Sequence, residues 1–100
     1  MGSGYDYDHY TGAVEDIKQL KRDRDHDEAE DLLLWCIEQT EAEVGEVAPW
    51  YYRHLGIVYR KDYRYEDEVR VLERYVDAAD NSDSDMLDRL ERARELASQE

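Results

Sequence analysis

Thirteen cations set among twenty-seven acids should each find a carboxylate, yet two stretches keep theirs together. Residues 18–24 hold Lys18, Lys21, Arg22 and Arg24 against Asp23, and residues 53–64 hold Arg53, Arg60, Lys61 and Arg64 against Asp62. Ammonium and guanidinium groups gathered this way grip carboxylates or phosphates, Arg through a planar fork. Pairing along helix faces accounts for cations equally well. Arg70 and Arg74 lie within reach of Glu66, Asp67 and Glu73, at about 0.3–0.5 kcal/mol per exposed pair. Other chemistry is sparse. His9 stands beside Asp6 and Asp8, and His26 between Asp25 and Asp27, as oxygen-rich metal ligands would, but side chains adjacent in sequence seldom converge on one ion. The window from Asp80 to Glu91 has acids at the first and twelfth places of a calcium loop. It carries Asp85 where the sharp turn needs glycine, and a helix cap explains its Ser and Asp residues better. Cys36 falls on an apolar helical face and reads as a buried thiol without a partner histidine. No glycine-rich phosphate loop, Ser-His-Asp set or Cys-x-x-Cys pair occurs. The expectation is a non-enzymatic chain with no metal and no cofactor.

Five helical segments must position these groups. The first ten residues have no helical period and read as a flexible tail, with Met1–Gly4 given no functional weight; residues 11–98 read as one domain. The first helix runs from about Thr11, a natural N-cap, to Arg22, with Ala13, Ile17 and Leu20 on one face. The second covers about Asp27 to Val44, where Ala29, Leu32, Leu33, Cys36, Ile37 and Thr40 follow the helical rule and Gly45 stops it. Pro49 opens the third, in a first-turn position where its missing N–H costs nothing. Tyr52, Leu55, Val58 and Tyr59 form its buried stripe. Asp62 to Arg64 make a turn into the fourth, Tyr65 to Ala79, which buries Val69, Leu72, Tyr75, Val76 and Ala79. After the loop Asp80–Ser84, the fifth covers about Ser84 to Ala97 with Met86, Leu87, Leu90, Ala93 and Ala97. Short connections and repeated pairing predict an all-α antiparallel array of two hairpins and a C-terminal capping helix.

A net charge of −14 weighs on partners. Regular apolar periodicity argues against disorder. Salt adaptation, consistent with ten Arg against three Lys, a solvated surface without a target, and mimicry of the DNA backbone all remain open. Direct binding of nucleic acid is disfavoured by repulsion. No stretch reaches the ~18 apolar residues of a membrane span, and no basic-then-apolar leader appears. A single cysteine suits a reducing cytoplasm.

The spacing Tyr52-x-x-Leu55-Gly56-x-x-Tyr59, followed by Tyr65, Val69, Leu72 and Tyr75, resembles one tetratricopeptide repeat, a 34-residue pair of helices. Glu68 departs from that pattern, standing where it has a small residue. The first hairpin keeps Ala29 at that place but has Asp16-Ile17 for the Leu-Gly pair. Aligning Ala29 with Glu68 and Leu33 with Leu72 relates the hairpins by an offset of 39 residues. In that family the first helix of each pair lines a concave groove. The resemblance implies a partner-binding face of Lys18, Lys21, Arg53, Ile57 and Arg60, with Trp50 alongside as an interface anchor or a hydrophobic plug. It implies a protein–protein interaction module or adaptor whose partner is a protein or peptide, with an acidic segment suiting the cations. Reversing Arg53 and Arg60 to glutamate should then abolish capture and leave helical content unchanged. The alternative is an acidic decoy presenting Glu38, Glu41, Glu43 and Glu46 in place of phosphates. Self-association through an exposed repeat edge is a third reading.

Overall fold

The computed structural model describes residues 7, 9–43, 48–79 and 84–99. Its elements are a 3-10 turn (Tyr10–Ala13) and five α-helices: α1 Val14–Arg22, α2 His26–Ala42, α3 Pro49–Lys61, α4 Tyr65–Ala79 and α5 Ser84–Ser98. Among the described residues there is no strand, and the chain is all-α. The expected stop at Gly45 and the loop at 80–83 lie outside the described residues.

The two hairpin turns have the same construction. α1 ends with Arg24 in the left-handed region (φ 59°), and α3 with Tyr63 (φ 61°). Asp25 N donates to Leu20 O (2.9 Å), and 39 residues later Arg64 N donates to Tyr59 O (2.8 Å). The bonds from Arg24 N to Lys21 O and from Tyr63 N to Arg60 O are both 3.1 Å, so both turns close the six-to-one and shorter bonds that end a helix with its carbonyls satisfied. Each following helix begins alike, with Ala29 N on Asp25 O and Glu68 N on Arg64 O. The 39-residue offset in the sequence is thus reproduced bond for bond at the turns.

Consecutive helices pack side by side, α1 on α2, α2 on α3, α3 on α4 and α4 on α5. Contacts between alternate helices sort the odd ones to one side and the even ones to the other. Lys21 of α1 meets His54 of α3, Arg53 of α3 faces Asp85 of α5, and Arg74 of α4 grips Glu41 of α2. The flattened extents, 40 × 32 × 21 Å, fit two layers. Between them lie Ile17, Leu33, Ile37, Tyr52, Leu55, Leu72 and Met86, all fully buried. Tyr52 and Tyr75 cross edge to face with centroids 5.2 Å apart.

Four expectations need correction. The segment before the first helix is not a loose tail from its seventh residue onward. Tyr10 is 8% exposed and packs edge-on to Tyr51, while Tyr7 donates a 2.6 Å bond to Asp16. An aromatic ring carries enough apolar area to dock without any helical period. The cap is His9 rather than Thr11: its extended backbone carries the imidazole over the turn, where Nδ1 accepts from Thr11 N. In α4 the buried stripe is Glu68, Val71, Leu72 and Tyr75, with Val69, Val76 and Ala79 half-buried, because the helix is covered by α3 on one side and α5 on the other. On α5, Met86, Leu90 and Ala93 are buried as expected, but Leu87 is 39% exposed and lies outside the core.

Candidate functional site: the cationic groove of the odd helices

Heptad spacing sets Trp50, Arg53, His54, Ile57, Arg60 and Lys61 along one side of α3. α1 brings Lys18 and Lys21 to one edge of that stripe, and α5 brings Arg89 and Arg92 to the other. The resulting groove between α3 and α5 encloses about 510 Å³ and is walled by Arg53, Arg60, Arg89 and Arg92, with Asp85 and Asp88 among them.

His54 sits where the three helices meet. The Lys21 ammonium donates to its Nδ1, which fixes the neutral ring with its proton on Nε2. Trp50 lies against the imidazole with centroids 4.1 Å apart and the rings 32° from parallel. Burial, and then the charges of Lys21, Arg53, Arg89 and Lys18, push the His54 pKa down to about 4. Lys21 is itself lowered, by burial and by the neighbouring charge of Lys61. At neutral pH the ring is uncharged and has a free N–H to donate.

The six residues read from the sequence do not share one fate. Lys21, Arg53 and Trp50 converge on His54. Lys18 is close enough to act on the ring, although its ammonium also lies 3.5 Å from Glu15 in an exposed pair. Ile57 is half-buried further along α3. Arg60 is engaged inside the fold: Nε donates to Glu68 Oε1 at 3.0 Å and Nη2 lies 2.8 Å from Oε2. Glu68 is 1% exposed and packs over Gly56, where a Cβ would stand at ordinary contact, 3.5 Å from Glu68 Cγ, and a longer side chain would compete for the same space. Reversing Arg60 would therefore set two carboxylates together in the interior, so helical content would not stay unchanged as the sequence reading expected. The contributions of His54, Arg89 and Arg92 were not foreseen. The i, i+3, i+4, i+7 spacing of Asp85, Asp88, Arg89 and Arg92 marks a polar face on α5, but nothing local says which groove it borders.

The even side is different in character. Glu41 accepts from Tyr52 (2.8 Å) and from Arg74 through Nε and Nη2 (both 2.8 Å). Glu30 accepts in the same way from Tyr59 (2.9 Å) and from Arg64, whose guanidinium also lies over the Tyr59 ring at 4.6 Å. Burial alone would raise Glu41, but the bonds from Arg74 and Tyr52 and the Arg74 charge outweigh it and lower the pKa. Glu43 is held by His9 (2.6 Å) and Tyr10 (3.2 Å). Two of the carboxylates considered as stand-ins for phosphates are thus tied to other side chains, Glu38 is exposed, and Glu46 lies outside the described residues.

Among the described residues no three His, Cys, Asp or Glu side chains converge as a metal site. His26 faces Asp62 across the hairpins at 2.6 Å, and Ser84 onward is helical rather than a calcium loop. Cys36 is buried, its thiol pushed up to about 12 by burial and aimed at Tyr10 O. No helix of the described residues is long and apolar enough to cross a membrane. Comparison with family models, with curated proteins and with solved structures finds no match to this chain.

Proposed function

We propose that this chain is a non-catalytic protein-interaction module that receives a segment of a partner along the groove of α1, α3 and α5. One observation carries the reading. Among the described residues, Lys21, Arg22, Arg24, Lys61 and Arg89 have no carboxylate within ion-pair distance, in a chain where acids outnumber bases two to one. All five belong to the odd helices or to the turn after α1, whereas every cation of α4 is paired. Carboxylates are plentiful enough to have neutralised them. An acidic partner segment is the complement such a face lacks, and it would be steered there despite the overall negative field.

The tetratricopeptide-like hairpin pattern supports the same reading, since first helices line the groove in that family. Trp50 and Ile57 supply apolar contact beside the charges, as interface anchors do. The test is affinity capture with the wild-type chain and with a Lys21→Glu/Arg53→Glu variant, leaving Arg60 in place to keep Glu68 paired. Loss of the captured partner with an unchanged helical spectrum is the expected outcome. Equal capture by both forms would overturn the groove assignment.

A further inference from the structure

We infer that the junction of α1, α3 and α5 at His54 is a binding site for one dianionic oxyanion group, a phosphate monoester borne by the docked segment. This deepens the groove reading by naming the group recognised, yet the site can be tested without any partner. Lys21 of α1 donates to the imidazole, and Arg53 of α3 and Arg89 of α5 wall the adjoining groove, near enough that their charges and that of Lys18 bear on the same ring. Lys61 adds its charge behind Lys21. The carboxylates nearby are Glu15, which faces Lys18, Asp85, which faces Arg53 at the outer limit of an ion pair (4.0 Å), and Asp88 on the α5 wall. Lys21 and Arg89 have no such partner among the described residues.

Three features favour a dianion over a single carboxylate. At least two uncompensated cations remain after the local acids are counted, so one negative charge leaves the cluster positive. The guanidinium forks of Arg53 and Arg89 suit tetrahedral oxygens. The Nε2–H of His54 remains available as a neutral donor because Lys21 occupies Nδ1. A long polyanion would also meet the repulsion of the −14 surface, whereas one group meets only the local cluster.

Occupancy has a proton-linked consequence. The cations that hold His54 uncharged are countered by the bound anion, so the ring takes up a proton more readily when the site is filled. By reciprocity an anion whose own charge does not change binds more tightly as pH falls below neutrality, by at most about tenfold per pH unit for one linked proton, whereas a phosphate monoester loses part of that gain as it protonates near pH ~6.

Sulfate, which does not titrate between pH 5.5 and 7.5, is the probe. The full-length chain is titrated with sodium sulfate against sodium chloride at matched ionic strength, following the ring resonances of all three histidines. A saturable response at His54, absent at His9 and His26 and about three- to tenfold tighter at pH 5.5 than at 7.5, is expected. Arg89→Gln and Lys21→Gln, which break no ion pair, should each weaken it by about tenfold. A His54 response equal in chloride, or one unaltered in both variants, would overturn the site whatever the capture experiment gives. A glutamate-flanked phosphoserine peptide should then bind at least tenfold tighter than free phosphoserine. Equal affinity would overturn the assignment to a partner segment, leaving a small phosphorylated compound as the ligand.

Discussion

The two hairpins share a turn and differ in how they fill the space beneath it. In the first, Ile17 on α1 and Ala29 on α2 hold positions that, 39 residues on, are held by Gly56 on α3 and Glu68 on α4. The first places bulk on its leading helix and a small residue on its trailing one; the second does the reverse. The exchange determines what happens to the cation at the end of each leading helix. Arg60 in the second hairpin turns to the carboxylate that Gly56 admits. Lys21, its counterpart, has Ala29 at the place of Glu68, and reaches His54 across the layer instead. One hairpin spends its cation on its own interior, and the other leaves its cation to the groove.

The strongest test of that contrast removes each cation in turn. Arg60→Gln strands Glu68 in the interior and should cost about 3 kcal/mol by urea unfolding, the lower end for a broken buried pair because Arg60 is one-third exposed. Adding Glu68→Ala should recover most of it. Lys21→Gln, at the equivalent position, should change stability by less than about 0.5 kcal/mol. Similar losses from both would erase the distinction between the hairpins.

Transplanting the first hairpin's solution is the next largest effect. Gly56→Ile with Glu68 in place should destabilise by about 1–3 kcal/mol through overpacking, and Glu68→Ala should relieve it. Strict additivity of the two changes would mean that the positions do not share a space. Gly56→Ala is expected to act in the opposite sense. Its methyl meets Glu68 Cγ at ordinary contact distance, 3.5 Å, and alanine favours the helix, so a gain of about 0.5–1 kcal/mol should appear.

The last effect concerns pH. With the folded pKa of His54 near 4 and the unfolded value near 6.5, the unfolded chain binds more protons between those limits. His54 therefore adds stability above pH 6.5 that is lost as pH falls towards 4. His54→Gln should flatten that part of the stability profile, and Lys21→Met should flatten it partly by raising the ring's midpoint. A profile identical to wild type in both variants would remove His54 from the account.

The sequence made much of this architecture legible, and for identifiable reasons. α4 begins and ends where read, and α3 opens at Pro49, because proline and the short Asp62–Arg64 turn are local signals. The offset relating the hairpins was visible from Ala29, Leu33 and Leu72. Of the groove, Lys21, Arg53 and Trp50 were anticipated. His54 as their meeting point was not, because convergence of α1, α3 and α5 is a property of stacking and leaves no mark on any single segment. The burial of Glu68 was hidden for a related reason. A carboxylate reads as exposed until Gly56 and Arg60, twelve and eight residues earlier, are known to face it.

Cys36 offers a clock for one motion of the molecule. Its sulfur is sealed beneath the backbone of Tyr10, 3.8 Å from that carbonyl, and is wholly inaccessible while the aromatic segment stays seated. A thiol reagent can reach it only when Tyr10 lifts away or the whole domain unfolds, so the labelling rate times that opening. Weakening the clasp on Glu43 with Tyr10→Phe should accelerate labelling well below the urea concentration of global unfolding. The single cysteine thus makes the seating of the N-terminal segment measurable on its own timescale.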